Sequence, residues 1–406
     1  MKSHPIIYFI ISILFISILL SLPLFYSISN LDIKFKSSTK EKNPLQAAPD
    51  CWPTSNWRFA SPESQGISLG KIEEMENYIE NQNLESSIDS ILVVRNGYLV
   101  YESYPSGHNE NFIHHIYSCT KVFTSALVGI AIEEGYISGI NDFVLNYFPN
   151  KTFGNMDARK QAITINHLLT MTSGLRWVDQ TNFYQMQVTS DWVKYILDQP
   201  MDYQPGDVWN YNTGCSHLLS AILNAVTPNG TRIYAIEKIF NPLNITNYSW
   251  SNDPQGIPIG GTLLYLSPRD MAKFGFLYLH NGMWNNSQLI TSNWVSQSKI
   301  SSKSIEFDQG HGSGYGYQWW IYNWANAYTA RGSYEQYIVV IPDLNMVVVS
   351  TGNTDFHFVE LLVNYILPSA GFYPLNIALI LSIIIITISI SILLIFIYFH
   401  KKRKKN

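Results

Sequence analysis

The sequence predicts an α+β fold: an antiparallel β-sheet flanked by helices, with a mostly helical lobe inserted between the strands and transmembrane helices at both termini. Three observations carry this expectation. β-Rich runs stand near both ends of the middle of the chain, the stretch between them has helical spacing, and two long apolar runs without charge lie at the extremes.

The elements follow in order. Ile72–Ile79 has helical spacing, with Ser68 placed to cap it. Ile91–Val94, then Asn96-Gly97, then Tyr98–Tyr101 is two β-rich runs around a two-residue turn, a hairpin signal. Phe123–Glu134 is an apolar helix closed by Gly135. Ile165–Met171, Ser190–Leu197, Ser216–Val226 and Pro268–His280 continue the helical region. Tyr317–Tyr322, Tyr337–Ile341 and Met346–Ser350 return to strand character, the last two joined by a turn at Pro342–Asn345. Val359–Leu367 reads as a final helix. A sheet built from both ends of one domain, with the helical lobe between, accommodates this order.

At the extremes, Ile6–Ile28 and Ile377–Phe399 are apolar and uncharged, and each has the ~20 residues that cross ~30 Å of hydrocarbon. The expected organisation is a signal peptide or signal-anchor helix at 1–29, a polar linker at 30–50 and one folded domain at 51–370. A membrane helix at 375–400 and a basic tail at 401–406 complete it. Lys401, Lys402, Arg403, Lys404 and Lys405 mark the cytoplasmic side by the positive-inside bias. The domain is then expected outside the cytoplasm, with the lipid bilayer as a partner through the terminal helices.

Net charge is −4, and between the terminal segments 20 cations face 30 anions. That sign excludes a nucleic-acid-binding domain. Three cysteines without a Cys-x-x-Cys pair, and ten histidines without a His-Glu-x-x-His cluster, give no metal site. No Walker loop or dinucleotide fingerprint occurs, and no cofactor is expected. No Gly-x-Ser-x-Gly elbow is present either.

What remains is Ser-x-x-Lys. On a helix the pair shares a face, so the amine reaches the hydroxyl; a desolvated lysine accepts a proton and activates the serine without histidine. The spacing occurs four times, at Ser37/Lys40, Ser68/Lys71, Ser118/Lys121 and Ser296/Lys299. Ser37 is in the linker, and Ser68 and Ser296 adjoin polar helices, where serine caps and lysine is solvated. Ser118-Cys119-Thr120-Lys121 instead opens a helix apolar nearly all round, where a buried lysine needs a reason. Downstream, Tyr211 stands in a loop-to-helix junction after Pro205-Gly206, placed to supply a phenol for proton transfer.

With these residues the chain resembles the serine β-lactamase and penicillin-binding-protein superfamily. It is most similar to the branch with class C β-lactamases, family VIII esterases and 6-aminohexanoate-oligomer hydrolases. The matching stretches include Val93–Gly97, Ser118-x-x-Lys121, His167–Leu175, Tyr211, Ser267–Ala272, Gly314–Trp320 and Val347–Val349. The resemblance implies a β-lactamase/transpeptidase-like fold and an acyl-enzyme. Ser118 would be the nucleophile and Lys121 would orient it and share its proton. Tyr211 would be general base and then general acid, and the backbone amides of Ser118 and Ser333 would form an oxyanion hole.

Two departures bear on substrate. The second motif, often Tyr-x-Asn, is Tyr211-Asn212-Thr213, which leaves Thr213 at a position that commonly touches substrate. The third, often Lys or His, any residue, then Gly, is Ala330-Arg331-Gly332. The cation that holds a carboxylate is missing at Ala330; Arg331 replaces it only by turning inward, against strand alternation. Esters or small amides are therefore expected as substrates rather than β-lactams. A second reading, a catalytically inactive binding protein of the same fold at the cell surface, stays open on the same departures. If the two motifs converge, Cys119 and Cys215 have the chance of forming a disulfide.

Overall fold

The computed structural model describes residues 52–374, together with 388, 391 and 392. Its centre is a nine-stranded sheet. In chain order the strands are β1 (Arg58–Phe59), β2 (Ile88–Arg95), β3 (Tyr98–Ser103), β4 (Lys303–Phe307), β5 (Gly312–Tyr315), β6 (Trp320–Tyr322), β7 (Tyr328–Gly332), β8 (Gln336–Ile341) and β9 (Met346–Gly352). Their spatial order is β1-β3-β2-β9-β8-β7-β6-β5-β4. Every pairing is antiparallel except β1 with β3. The early hairpin therefore pairs with the last strand, through Val93↔Val348 and its neighbours, and the helical lobe is excluded from the sheet.

Hairpin chemistry is legible at β2–β3. Asn96 and Gly97 have φ of 54° and 86°, the left-handed pair that matches the twist of the flanking strands. The central strands are buried on both faces, and alternation sorts their side chains into two cores. Leu92, Val94, Ile338, Val340, Val347 and Val349 face the core shared with the helical lobe. Ile91, Val93, Val339, Ile341, Met346 and Val348 face helix α1 (Leu69–Asn81) and the C-terminal helical segment from Phe358 to Ser369. Ser68 caps α1 as expected, its hydroxyl accepting from the Lys71 amide. Ser296 does not cap: it lies inside the helix Ser292–Ser298, which Thr291 caps.

Between the halves of the sheet in sequence come α2 (Thr120–Glu133), α3 (Asp179–Gln187) and α4 (Thr213–Val226) of the lobe, then α5 (Pro268–Leu279), which packs on the central strands with Gly275 against Ile338 and Val347. α2 is buried from Thr120 to Ala131. Its polar side chains are not orphaned: Thr124 Oγ1 donates to the Gly260 carbonyl and Ser125 Oγ to that of Tyr317. α5 begins as its sequence dictates, with Ser267 as cap and Pro268 in the first turn.

Two further expectations need correction. The strand expected over 317–322 is only Trp320–Tyr322. Gln318 takes φ 69°, and its buried amide bonds the carbonyls of Leu168 and Leu169 and the Ser216 hydroxyl, tying the β5–β6 connection to the lobe. The terminal transmembrane helices are the second. Among the described residues no helix is long and apolar enough to cross a membrane. The segments 6–28 and 377–399 fall outside the described residues, apart from 388, 391 and 392. The α+β fold stands without them.

Candidate active site

Ser118 sits in a single 3-10 turn, Tyr117–Cys119, that runs directly into α2. Lys121 follows in the first turn of α2, so both side chains project from the same end of a buried helix. Lys121 is 1% exposed. Its Nζ donates to Ser118 Oγ at 2.9 Å, to Thr213 Oγ1 at 3.1 Å and to the Gly261 carbonyl at 2.8 Å. Three partners for three ammonium donors is the arrangement that makes burying this charge tolerable.

Close backbone approach builds that cradle. A Cβ on Gly261 would lie 2.7 Å from Thr213 Cγ2 and 3.4 Å from Lys121 Nζ, and one on Gly260 would lie 2.2 Å from the Ser216 carbonyl oxygen. Only glycines let this loop reach α4 and offer a carbonyl to the lysine. On the other side Gly332, at the end of β7, abuts the Ile116 carbonyl, 2.5 Å from where its Cβ would be. Ser333 is next in the chain. Tyr334 then packs edge-on against Tyr117, with ring centroids 5.2 Å apart. The end of β7 is thus brought against the turn that carries Ser118.

Tyr117 precedes the nucleophile with φ 46°, a left-handed conformation that costs a bulky residue ~1–3 kcal/mol. It is held by contacts on several sides. Its ring stacks on His115 at 3.7 Å, its carbonyl accepts from Thr120 Oγ1, and Gly332 packs behind it. His115 is fixed in turn: its Nε2 accepts from the Leu263 amide at 3.1 Å and lies 3.0 Å from the Thr262 hydroxyl. Burial pushes its pKa down to about 4, so the ring is neutral at neutral pH.

His280, between the rings of Trp52 and Phe276, is likewise pushed down to about 4 by burial. Unfolded, both titrate near 6.5. The unfolded chain therefore binds more protons between these values. The stability these two groups supply is complete above pH ~6.5 and is lost as pH falls toward about 4, on the order of 1–2 kcal/mol each. Asp308 and Glu335, raised by burial, work in the opposite sense. The expected result is a melting temperature that falls between pH 6.5 and 4, with a shallower fall in His280→Gln. An unchanged slope in that variant would contradict this account.

Tyr211 reaches the same place, with Lys121 Nζ 4.9 Å from its ring centroid. Its ring stacks on Trp320 at 5.8 Å, and Trp209 lies 5.7 Å from Trp320. Ser118, Lys121, Tyr211 and Thr213 are thus brought together, and the lysine amine, rather than the tyrosine hydroxyl, bonds the serine. Thr213 is 4% exposed, and its hydroxyl bonds Lys121 and Asp179, so it belongs to the lysine cradle and not to the open cleft as expected for a substrate contact.

Arg331 is also corrected as a substrate contact. Alternation turns it away from Ala330, as the strand geometry requires. Its guanidinium pairs with Asp308 at 2.8 Å, donates to Tyr337 Oη and lies over the rings of Phe307 and Trp320. Burial opposes its charge, but Tyr337 and Asp308 outweigh that and hold it protonated. The disulfide is overturned as well: Cys119 and Cys215 are separate buried thiols. Cys119 Sγ contacts the Gln336 carbonyl on β8, and Cys215 Sγ contacts Ser173 Oγ in the lobe. Burial pushes the Cys119 thiol up, and that of Cys215 up to about 12, so neither rivals Ser118 as a nucleophile.

The sequence reading misses Asp179, whose carboxylate bonds the Thr213 hydroxyl, and the Gly261 carbonyl. A lone aspartate 32 residues before Tyr211 carries no motif; only the Gly260-Gly261 pair hints at a close approach.

The Beta-lactamase family model matches residues 81–364, well over half of the chain. The chain belongs to the Beta-lactamase family. With the Ser118–Lys121 pair assembled, it is a serine hydrolase of that family. Solved structures share the fold of this β-lactamase-family chain. One from Bacillus anthracis, provisionally named a 6-aminohexanoate-dimer hydrolase, is 22% identical with a TM-score of 0.64, covering 80% of this chain and 89% of its own. EstCE1, a hydrolase with promiscuous acyltransferase activity, is 14% identical with a TM-score of 0.63, covering 75% and 99%. A family VIII carboxylesterase is 13% identical with a TM-score of 0.56, covering 74% and 98%.

Proposed function

We propose that this β-lactamase-family protein hydrolyses esters or small amides through an acyl-enzyme on Ser118. The observation that carries the reading is the buried Lys121 amine at 2.9 Å from Ser118 Oγ, with its remaining partners fixed in place. In its neutral form Lys121 takes the Ser118 proton as Oγ attacks the substrate carbonyl carbon. The carbonyl oxygen becomes an oxyanion facing the backbone amides of Ser118 and Ser333, the first of these at the entrance to α2. Collapse breaks the bond to the leaving alcohol or amine, which leaves with a proton passed through Tyr211. Water then attacks the acyl-serine, and the proton it loses returns to Ser118 as the acid departs.

Esters and small amides are favoured over β-lactams on the charge lining the site. Ala330 offers no cation, and Arg331 is neutralised by Asp308, so a substrate carboxylate has no built partner there. A carboxylesterase and a hydrolase that also transfers acyl groups are among the similar folds, which accords with an acyl-enzyme. Tyr117, Tyr334, Tyr211 and Trp320 around Ser118 supply aromatic walls for an apolar acyl or alcohol group.

The test is to react the full-length chain and Ser118→Ala with a fluorophosphonate, map the modified peptide, and compare turnover of p-nitrophenyl esters with that of a chromogenic cephalosporin. Labelling at Ser118, lost in Ser118→Ala, with faster ester than β-lactam turnover is expected. A folded protein that neither labels nor turns over would instead assign the fold to binding.

A further inference from the structure

We infer that Asp179 is a positioning residue for the reaction: by holding the hydrogen of the Thr213 hydroxyl, it leaves Ser118 as the one hydrogen-bond partner of Lys121 able to give it a proton. This rests on Ser118 and Lys121 acting as proposed above.

The argument is a count of hydrogens. Asp179 Oδ1 accepts from the Trp177 indole N–H and from the Thr213 backbone amide, both at 2.7 Å. Its Oδ2 accepts from Thr213 Oγ1 at 2.9 Å. An ionised carboxylate only accepts, so the single hydroxyl hydrogen of Thr213 is directed at Asp179. The Thr213 oxygen then presents a lone pair to Lys121 Nζ, 3.1 Å away. The third partner of the amine, the Gly261 carbonyl, also only accepts. As an ammonium, Lys121 donates to all three. As a neutral amine it has two N–H bonds and one lone pair, which the two pure acceptors direct toward Ser118 Oγ. Thr213 is thus held as an acceptor by a residue on another helix, in the place where the family often has asparagine.

Asparagine at 179 would reverse this by one group. Thr213 N–H and the Trp177 indole both donate toward Oδ1, so the amide oxygen must stay there and its NH2 must take the Oδ2 position. That NH2 donates to Thr213 Oγ1, and the threonine hydrogen turns to the Lys121 lone pair, in competition with Ser118. The contacts on Oδ1, which hold Trp177 and the start of α4, are retained.

The experiment is a double-mutant cycle on the full-length chain. It reads kcat and KM for a p-nitrophenyl ester, the fluorophosphonate labelling rate at Ser118 and the melting temperature. Asp179→Asn is expected to lower kcat and labelling by about a hundredfold, the scale of one displaced proton transfer, with KM little changed. Thr213→Val loses less, because it removes an acceptor without misdirecting a hydrogen. The double variant should be no slower than Thr213→Val alone, whereas Thr213→Ser should stay sensitive to Asp179→Asn. An Asp179→Asn cost of the same size in the Thr213→Val background would overturn the inference, because the aspartate would then act without the threonine hydroxyl. So would a loss confined to KM or to melting temperature. Wild-type chain that fails to label at Ser118 would overturn the acyl-enzyme reading itself, an outcome separate from these.

Discussion

Replacing Lys121 by methionine should slow acylation of Ser118 by a thousandfold or more, on the order of what a general base contributes at most, and leave the chain folded. Methionine has nearly the same length and suits the apolar surroundings of α2. It removes a buried charge, whose desolvation opposes folding, and leaves the Gly261 carbonyl without its lysine donor. Those effects oppose each other, so melting temperature should change far less than rate. Lys121→Arg sharpens the result. A guanidinium keeps the charge and the donors but stays protonated throughout the working pH range, so it can orient Ser118 without accepting its proton. Arginine should be nearly as inactive as methionine. If Lys121→Arg retained substantial labelling, the lysine would be an electrostatic prop and the base would lie elsewhere, with Tyr211 the nearest alternative.

The nucleophile was legible because it breaks a local rule: a lysine in the first turn of a helix apolar on all sides conflicts with burial unless chemistry or partners compensate. The central strands were legible for the opposite reason, since β-branched runs on both sides of Asn96-Gly97 and over 337–350 agree with what the sheet needs. Most of what escaped depended on contacts far apart in sequence. Lys303–Phe307 is a smaller miss: it alternates only over Ile305-Glu306-Phe307, too briefly to stand out, and is fixed as a strand by its neighbour Gly312–Tyr315. Gln318 interrupts a run of aromatic residues that reads as one strand, because its amide is drawn to carbonyls about 150 residues earlier. The cysteines follow the same logic. Each stands near a catalytic motif in sequence, yet one sulfur faces the sheet and the other the lobe. Asp179 is the strongest case, since an ordinary polar helix start gains its meaning only where α4 docks.

Gly261→Ala should cost about tenfold to a hundredfold in kcat through sub-ångström displacement alone, with a drop of a few degrees in melting temperature. The added methyl would sit 2.7 Å from Thr213 Cγ2 and 3.0 Å from the Thr213 carbonyl oxygen. Neither is the loose end of a flexible side chain. Thr213 is pinned through its amide and hydroxyl by Asp179, and its backbone opens α4. The loop must therefore move off the helix, taking with it the Gly261 carbonyl that holds one of the three lysine donors. Lys121 follows or loses a partner; either way its lone pair no longer points at Ser118 as before. Gly139→Ala is the matched control, because nothing lies within 4 Å of its added Cβ. It should leave kcat unchanged, so the comparison removes any general effect of substituting glycine. Equal losses at both positions would count against the cradle. A kcat loss at Gly261 alone, with labelling reduced in step, would show that this backbone carbonyl is as much a part of the nucleophile's activation as the lysine it holds.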